Sequence, residues 1–273
     1  MGYGLLKGKR GIIFGALNEQ SIAWKAAERC HEEGAAMVLS NTEVALRMGT
    51  LSALAEQTGS PVVAADATSF EDLTRVFEEG QRLLGGKIDF VLHSIGMSPN
   101  VRKNIPYEAL NYGYLSKTLD ISAVSFHKML SAAHRTDALA PWASVVALTY
   151  IAAEKATIGY NDMADAKALL QSIARSFGLI YGKEKKVRIN TVSQSPTMTT
   201  AGSGVSGMTR LLRVAEEMSP LGNADAEECA GYIVTLFSDL TRKVTMQNLY
   251  HDGGFSSTGM TLEALDMFDK VCD

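Results

Sequence analysis

The segment YNDMADAK, Tyr160 to Lys167, sets a phenol and an ammonium seven positions apart. In a helix, seven steps make almost two turns, roughly 10 Å of rise, and bring the second side chain back near the azimuth of the first. Tyr160 and Lys167 would then line one wall. A phenol with an ordinary pKa of about 10 is neutral at pH 7, and in a dry site it can donate a hydrogen bond to a developing oxyanion. A lysine beside it adds positive charge that favours the same anion. Tyr150, ten residues upstream at the end of an apolar run, is a third candidate. Taken alone, these residues are more simply a half-buried tyrosine and a solvated lysine stem, and only their context can favour the catalytic pair.

The elements that must position these groups alternate along the chain. Short, largely β-branched apolar runs at 10–15, 35–40, 61–66, 88–94, 143–150, 186–193 and 245–252 read as about seven strands, most of them buried on both faces. Between them, 21–34, 44–59, 69–86, 121–134, 161–182 and 224–239 carry helical periodicity, several closing on Gly. This repetition predicts an α/β fold, a doubly wound, Rossmann-like parallel sheet with helices on both faces, because each parallel crossover needs its own connector. No repeat, low-complexity tract or Pro/Ser-rich linker interrupts the pattern, so residues 1–273 are expected to form a single domain. One segment differs in texture. At about 195–222, Gly202, Gly204 and Gly207 sit among small polar residues before a short helical run, as expected of a mobile substrate-binding loop and helix.

In such a sheet the ligand crevice lies at the carboxyl ends of the strands, and the first strand-to-helix turn cradles a pyrophosphate. Here that turn is GALNEQSIA, Gly15 to Ala23, which keeps one of the three glycines of G-x-G-x-x-G. A dinucleotide is still physically accommodated: Gly15 can make the tight turn, Ser21 offers a hydroxyl, and backbone N–H groups near Ser21 and Ile22 open a helix. Thr42 and Glu43 follow the second strand, near the expected ribose. Asp66 follows the third, where it can accept from an adenine amino group. After the fourth, HSIGMSP brings small residues and Gly96, which let backbone approach a sugar closely. Singly these are caps and turns; together they form a row of strand ends.

Composition narrows the classes further. A net charge of -4 supplies no basic field for nucleic acid. Cys30, Cys229 and Cys272 show no C-x-x-C spacing, and the five histidines show no metal-site pattern, so neither a disulfide framework nor a metal is expected. No apolar run reaches the length of a membrane span, and no signal-peptide cleavage region precedes the first strand. A cytoplasmic protein without a membrane partner is expected.

Gly15 with SIA, the Asp66 turn, HSIG (93–96), LTY (148–150), YNDMADAK, VRIN (187–190) and HDGGFS (251–256) together resemble bacterial enoyl-acyl-carrier-protein reductases of the FabI type, a divergent branch of the short-chain dehydrogenase/reductase superfamily. The resemblance runs over essentially the whole chain. Its most specific part is the Tyr-x6-Lys interval with a second tyrosine ten residues earlier; ordinary members of the superfamily set tyrosine and lysine four apart, and position 164 here is Ala. Two departures stand out. QSP (194–196) replaces the usual AGP, and Thr149 precedes Tyr150 where Ser is usual.

The resemblance implies reduction of a trans-2-enoyl thioester on acyl carrier protein by NADH, with NADPH as the alternative reductant, the last reductive step of type II fatty-acid elongation. It implies cofactor contacts at Gly15, Ser21, Ile22, Thr42, Asp66, Ala67, Ile95 and Lys167 and along Thr197, Met198, Thr199, Thr200 and Ala201. Ser98, Tyr150 and Tyr160 would meet the substrate, with Tyr150, Tyr160 and Lys167 catalytic. Tyr160 would hydrogen-bond the thioester oxygen as an enolate forms, Lys167 would hold the nicotinamide ribose, and Tyr150 would shape the pocket or assist protonation. Glu43 favours NADH by accepting from a free ribose 2′-hydroxyl, whereas Arg47 one turn later would suit a 2′-phosphate. A homotetramer packing 108–134 and 161–182 against symmetry mates is implied, and Arg210 and Arg213 are candidate contacts for the acidic carrier protein. Two rivals are a carbonyl or alcohol reductase, which needs a Tyr-x3-Lys pair and a serine in register, and a dinucleotide-sensing protein that binds without turnover. Asp162 and Asp165 read as solvated helix surface.

Overall fold

Caps written into the sequence set several of the helix boundaries of the computed structural model, which describes residues 2–48, 50–198 and 208–266. The strands are β1 (Arg10–Phe14), β2 (Ala36–Asn41), β3 (Val62–Ala64), β4 (Ile88–His93), β5 (Leu139–Thr149), β6 (Arg188–Gln194) and β7 (Asn248–His251). The helices are α1 (Ile22–Glu32), α2 (Glu43–Met48), α3 (Leu51–Thr58), α4 (Phe70–Leu84), α5 (Pro99–Arg102), α6 (Tyr112–Leu119), α7 (Ser125–Arg135), α8 (Asn161–Lys185), α9 (Met208–Met218) and α10 (Ala226–Phe237). Ser21 caps α1 by accepting from Trp24 N, and Ser69 caps α4 by accepting from Asp72 N. A reciprocal box between Asp225 and Glu228 starts α10. Left-handed Gly59 and Gly85 end α3 and α4.

Among the described residues the seven strands form one all-parallel sheet in the order β3-β2-β1-β4-β5-β6-β7. Side chains alternate between two apolar layers, as a twofold strand period demands. Ile12, Val38, Val91 and Val145 pack with α4, α7 and α8, whereas Ile13, Leu39, Leu92 and Val146 pack with α1, α3 and α10. The expected doubly wound α/β fold with helices on both faces is the fold found. The strand order reverses between β1 and β4, which opens a crevice at their carboxyl ends.

Several local expectations differ. The helix expected over 44–59 is divided into α2 and α3, with Thr50 leaving helical geometry at φ -97° and ψ 20°. The helix expected over 121–134 begins earlier, as α6, and passes through a π-helical turn, Asp120–Val124, into α7. α8 begins at Asn161 as expected, but this leaves Tyr160 as its N-cap, and Asn161 itself adopts a left-handed φ of 44°. Tyr160 and Lys167 therefore do not ride two turns of one regular helix. The backbone reversal at Asn161, rather than helical azimuth, aims the tyrosine.

Candidate active site

The β1–α1 turn shows why one glycine suffices. Gly15 has φ 96°, and a Cβ there would lie 2.1 Å from the Ser94 carbonyl oxygen, so neither the conformation nor the space admits a side chain. Its N–H donates to Ser40 O and binds the turn to β2. The Ser21 hydroxyl donates to Asn18 O and accepts from Leu17 N and Trp24 N, so it shapes the turn whose helix N-terminus opens toward the cleft. Gly15, Ser21 and Ile22 line one end of a cavity of about 250 Å³.

Against Gly15 runs the loop after β4, which supplies Ile95, Gly96 and Ser98 to the cavity. Ser122, within the π turn, accepts from Met97 N at 3.0 Å and pins this loop; π-helical turns recur where a helix serves a functional site. Ser98 caps α5 and donates to Asp162 Oδ1 at 2.6 Å. Asp162, expected on solvated surface, is instead fully buried. Its helical spacing from buried Ala166 and Leu170 marks it as an inward position. Asp165 also has a partner, the Tyr107 hydroxyl at 3.2 Å.

The three proposed catalytic side chains meet in the same cavity. Tyr150 follows β5, and its ring lies 4.9 Å from that of Tyr160 at an interplanar angle of 52°. The buried Tyr150 hydroxyl has no hydrogen-bond partner among the described residues. Burial, and then the charge of Asp252, push its pKa up to about 12. Burial, and then Tyr150, raise that of Tyr160, so both phenols are neutral at physiological pH. Lys167 Nζ donates to Leu148 O at 2.8 Å, its only hydrogen bond among the described residues, which leaves two donors for a ligand. Burial pushes its pKa down to about 8.

Behind Lys167, buried His93 extends the electrostatics. Ser125 Oγ donates to Ile121 O, so His93 Nε2 at 2.9 Å carries the proton that Ser125 accepts. Burial, and then the charge of Lys167, hold the His93 pKa down to about 3.

Other expected site residues lie along the same sheet edge but outside this cavity. Thr42 directly follows β2, and its Oγ1 accepts from Ala45 N at 3.2 Å. Asp66 stands two residues beyond β3 and accepts from both Thr68 N and Thr68 Oγ1 at 2.8 Å, while half-buried Ala67 packs on the core. Thr197 and Leu211, both within the 195–222 segment expected to be a substrate-binding loop and helix, line the cavity, and Met198 is exposed. Thr199, Thr200, Ala201, Gly202, Gly204 and Gly207 lie outside the described residues. The QSP departure has a structural use. Gln194 Nε2 donates to Ala224 O and Asp225 O, so its Oε1 accepts from His251 Nδ1 at 2.7 Å.

A family profile described as enoyl-(acyl carrier protein) reductase matches residues 15–256. A crystal structure of a FabI-NADH complex from Alistipes finegoldii is 68% identical, with a TM-score of 0.95 over 96% of this chain and 93% of that one. Enoyl-acyl-carrier-protein reductase (NADH) 1 of Rhizobium meliloti is 33% identical over 94% of this chain and 93% of its own length. The Escherichia coli enzyme of the same activity, FabI, is 32% identical over 94% of this chain and 97% of its own.

Proposed function

This chain belongs to the enoyl-(acyl carrier protein) reductase family, and from that premise we propose that it reduces the trans-2 double bond of enoyl thioesters on acyl carrier protein, with NADH as reductant, in type II fatty acid biosynthesis. The observation that carries the reading is the meeting of Tyr150, with its unpartnered buried hydroxyl, Tyr160 and the Lys167 amine in one cavity at the carboxyl ends of the strands.

The residues present fit a dinucleotide. Gly15 leaves room where any side chain would strike Ser94 O, the N-terminus of α1 faces the same end, and Lys167 keeps two donors. Gly15, Ser21 and Ile22 would hold the pyrophosphate, Ile95 and Lys167 the nicotinamide riboside, and Thr42, Asp66 and Ala67 the adenosine. Glu43, paired with Arg47 at 3.3 Å on the exposed start of α2, supports NADH over NADPH.

The chemistry NADH supplies when bound is a hydride to the β-carbon of the conjugated thioester, whose oxygen gathers negative charge as an enolate. Tyr160, kept protonated by burial, would donate a hydrogen bond to that oxygen. Lys167 would grip ribose hydroxyls, and its charge favours the enolate. Tyr150 would wall the substrate beside Tyr160, and its unpartnered hydroxyl supports a donor role there. Ser98 bounds the cavity with its own hydroxyl engaged by Asp162. The cavity-lining positions of Thr197 and Leu211 support a substrate-binding role for 195–222, including the cofactor contacts expected along Thr197–Ala201.

Arg210 and Arg213, exposed on α9, would meet the acidic carrier protein. A homotetramer accords with Leu169, Leu179 and Ile180 exposed along α8. A cytoplasmic location completes the proposal; no helix among the described residues is long and apolar enough to cross a membrane. Adding crotonyl thioester should consume NADH, whereas a ketone should not. Tyr160→Phe should lower turnover by about two orders of magnitude, as for loss of one oxyanion donor. No NADH consumption with the thioester would overturn the reading, and near-normal turnover by Tyr160→Phe would remove that residue from its role.

A further inference from the structure

Asp162 sits in the first turn of α8, is fully buried, and has no lysine or arginine partner among the described residues. A buried carboxylate without a cation is costly unless donors surround it. Three neutral side chains do so, and they come from the neighbouring helices α5 and α6 and the cap of α5. Ser98 Oγ accepts from Val101 N, so its single proton is left for Asp162 Oδ1 at 2.6 Å. Asn100 Nδ2 reaches Oδ2 at 2.7 Å while the same side chain pairs with both backbone groups of Asn111. Thr118 Oγ1, on α6, lies 2.9 Å from Oδ2 and 2.9 Å from Tyr114 O, with one proton between them.

This network adjoins the cleft at two points. Ser98 ends the cavity-lining loop after β4. On the other side, Tyr160 is joined to the first turn of α8 through Met163 N, which donates to Tyr160 O at 3.1 Å, and through left-handed Asn161, whose Nδ2 donates to Ile105 O at 2.6 Å. An apolar residue of similar size would fill the site without the cost of a buried charge, so the consequence of the carboxylate is geometric.

We propose that Asp162 is a positioning residue for the reduction: its carboxylate locks α5 and α6 onto the first turn of α8 and thereby holds the Tyr160 phenol in register with the Ile95–Ser98 wall. The inference rests on Tyr160 as the donor to the substrate oxygen. Asp162→Asn keeps the shape but turns an amide NH2, itself a donor, toward either the Ser98 hydroxyl or the Asn100 and Thr118 pair, so one side of the network loses its acceptor.

In the full-length enzyme, Asp162→Asn should lower kcat on crotonyl thioester about tenfold, the scale of a small misplacement of a reacting group, with KM for NADH unchanged. In a Tyr160→Phe background the same substitution should cost nothing further, because the group it positions is gone. If Tyr160→Phe alone turns over normally, the underlying assignment of Tyr160 fails and the proposal falls with it. If Tyr160→Phe is impaired but Asp162→Asn is not, or if the two losses multiply, the assignment stands and the positioning role is overturned. Should Asp162→Asn fail to fold, Thr118→Val, which removes one donor and leaves the carboxylate, is read in the same two backgrounds: a loss confined to the Tyr160 enzyme supports the proposal, and equal losses or none overturn it.

Discussion

Replacing Lys167 by methionine should stabilise the protein at neutral pH while disabling it, and the gain should turn into a deficit at high pH. Burial lowers the Lys167 pKa from 10.5 to about 8. At about 1.4 kcal/mol for each tenfold in proton affinity, holding the ammonium in the fold costs about 3 kcal/mol. Below pH 8 the lysine is protonated in both folded and unfolded chains, so this cost is fully present and does not vary. Between pH 8 and 10.5 the unfolded chain binds the proton and the folded chain does not, so stability rises with pH and the cost is relieved. Lys167→Met removes the buried charge but also the hydrogen bond to Leu148 O, worth about 1.5 kcal/mol or more for a charged donor. The net expectation at pH 7 is a gain of about 1 kcal/mol. Urea unfolding of both proteins at one concentration, at intervals from pH 7 to 10.5, isolates the lysine as the difference between the two curves. The wild type should gain on the variant across that window. A constant difference, or a variant that gains on the wild type as pH rises, would refute the assignment of a desolvated ammonium. The variant should also lose NADH affinity, which would place this lysine among groups that trade stability for function.

Gly15→Ala should lose about 1–3 kcal/mol from its left-handed backbone alone. The clash with Ser94 O should also weaken NADH binding, read as a smaller rise in Tm on adding NADH. An undiminished rise would show that the turn does not shape the nucleotide end. Glu43→Ala should raise use of NADPH relative to NADH several-fold, because it removes the carboxylate that repels a 2′-phosphate and releases Arg47 from its 3.3 Å ion pair. An unchanged ratio of kcat/KM for the two cofactors would take Glu43 out of cofactor selection.

Much of this molecule is local. The apolar runs feeding two layers, the serine and aspartate caps, and the glycines closing α3 and α4 are properties of residues and their near neighbours, so the strand-helix alternation and the parallel sheet were legible before any contact was known. The row of strand-end residues was legible for the same reason, since a parallel sheet places every strand's carboxyl end on one edge. Tertiary structure decided what depends on residues distant in sequence. Whether Gly15 could be replaced depended on Ser94, brought beside it by the pairing of β1 with β4. Whether Asp162 was surface or core depended on Ser98 and Thr118, whose chain segments reach it only after α5 and α6 pack on α8. The pairing of Tyr160 with Lys167 was anticipated from a helical azimuth that the chain does not use. A left-handed Asn161, tied to Ile105 O, aims the tyrosine instead, and a seven-residue interval records the spacing without recording that turn. Spacing fixes which side chains are within reach of one another; burial and non-local hydrogen bonds fix their orientation and protonation.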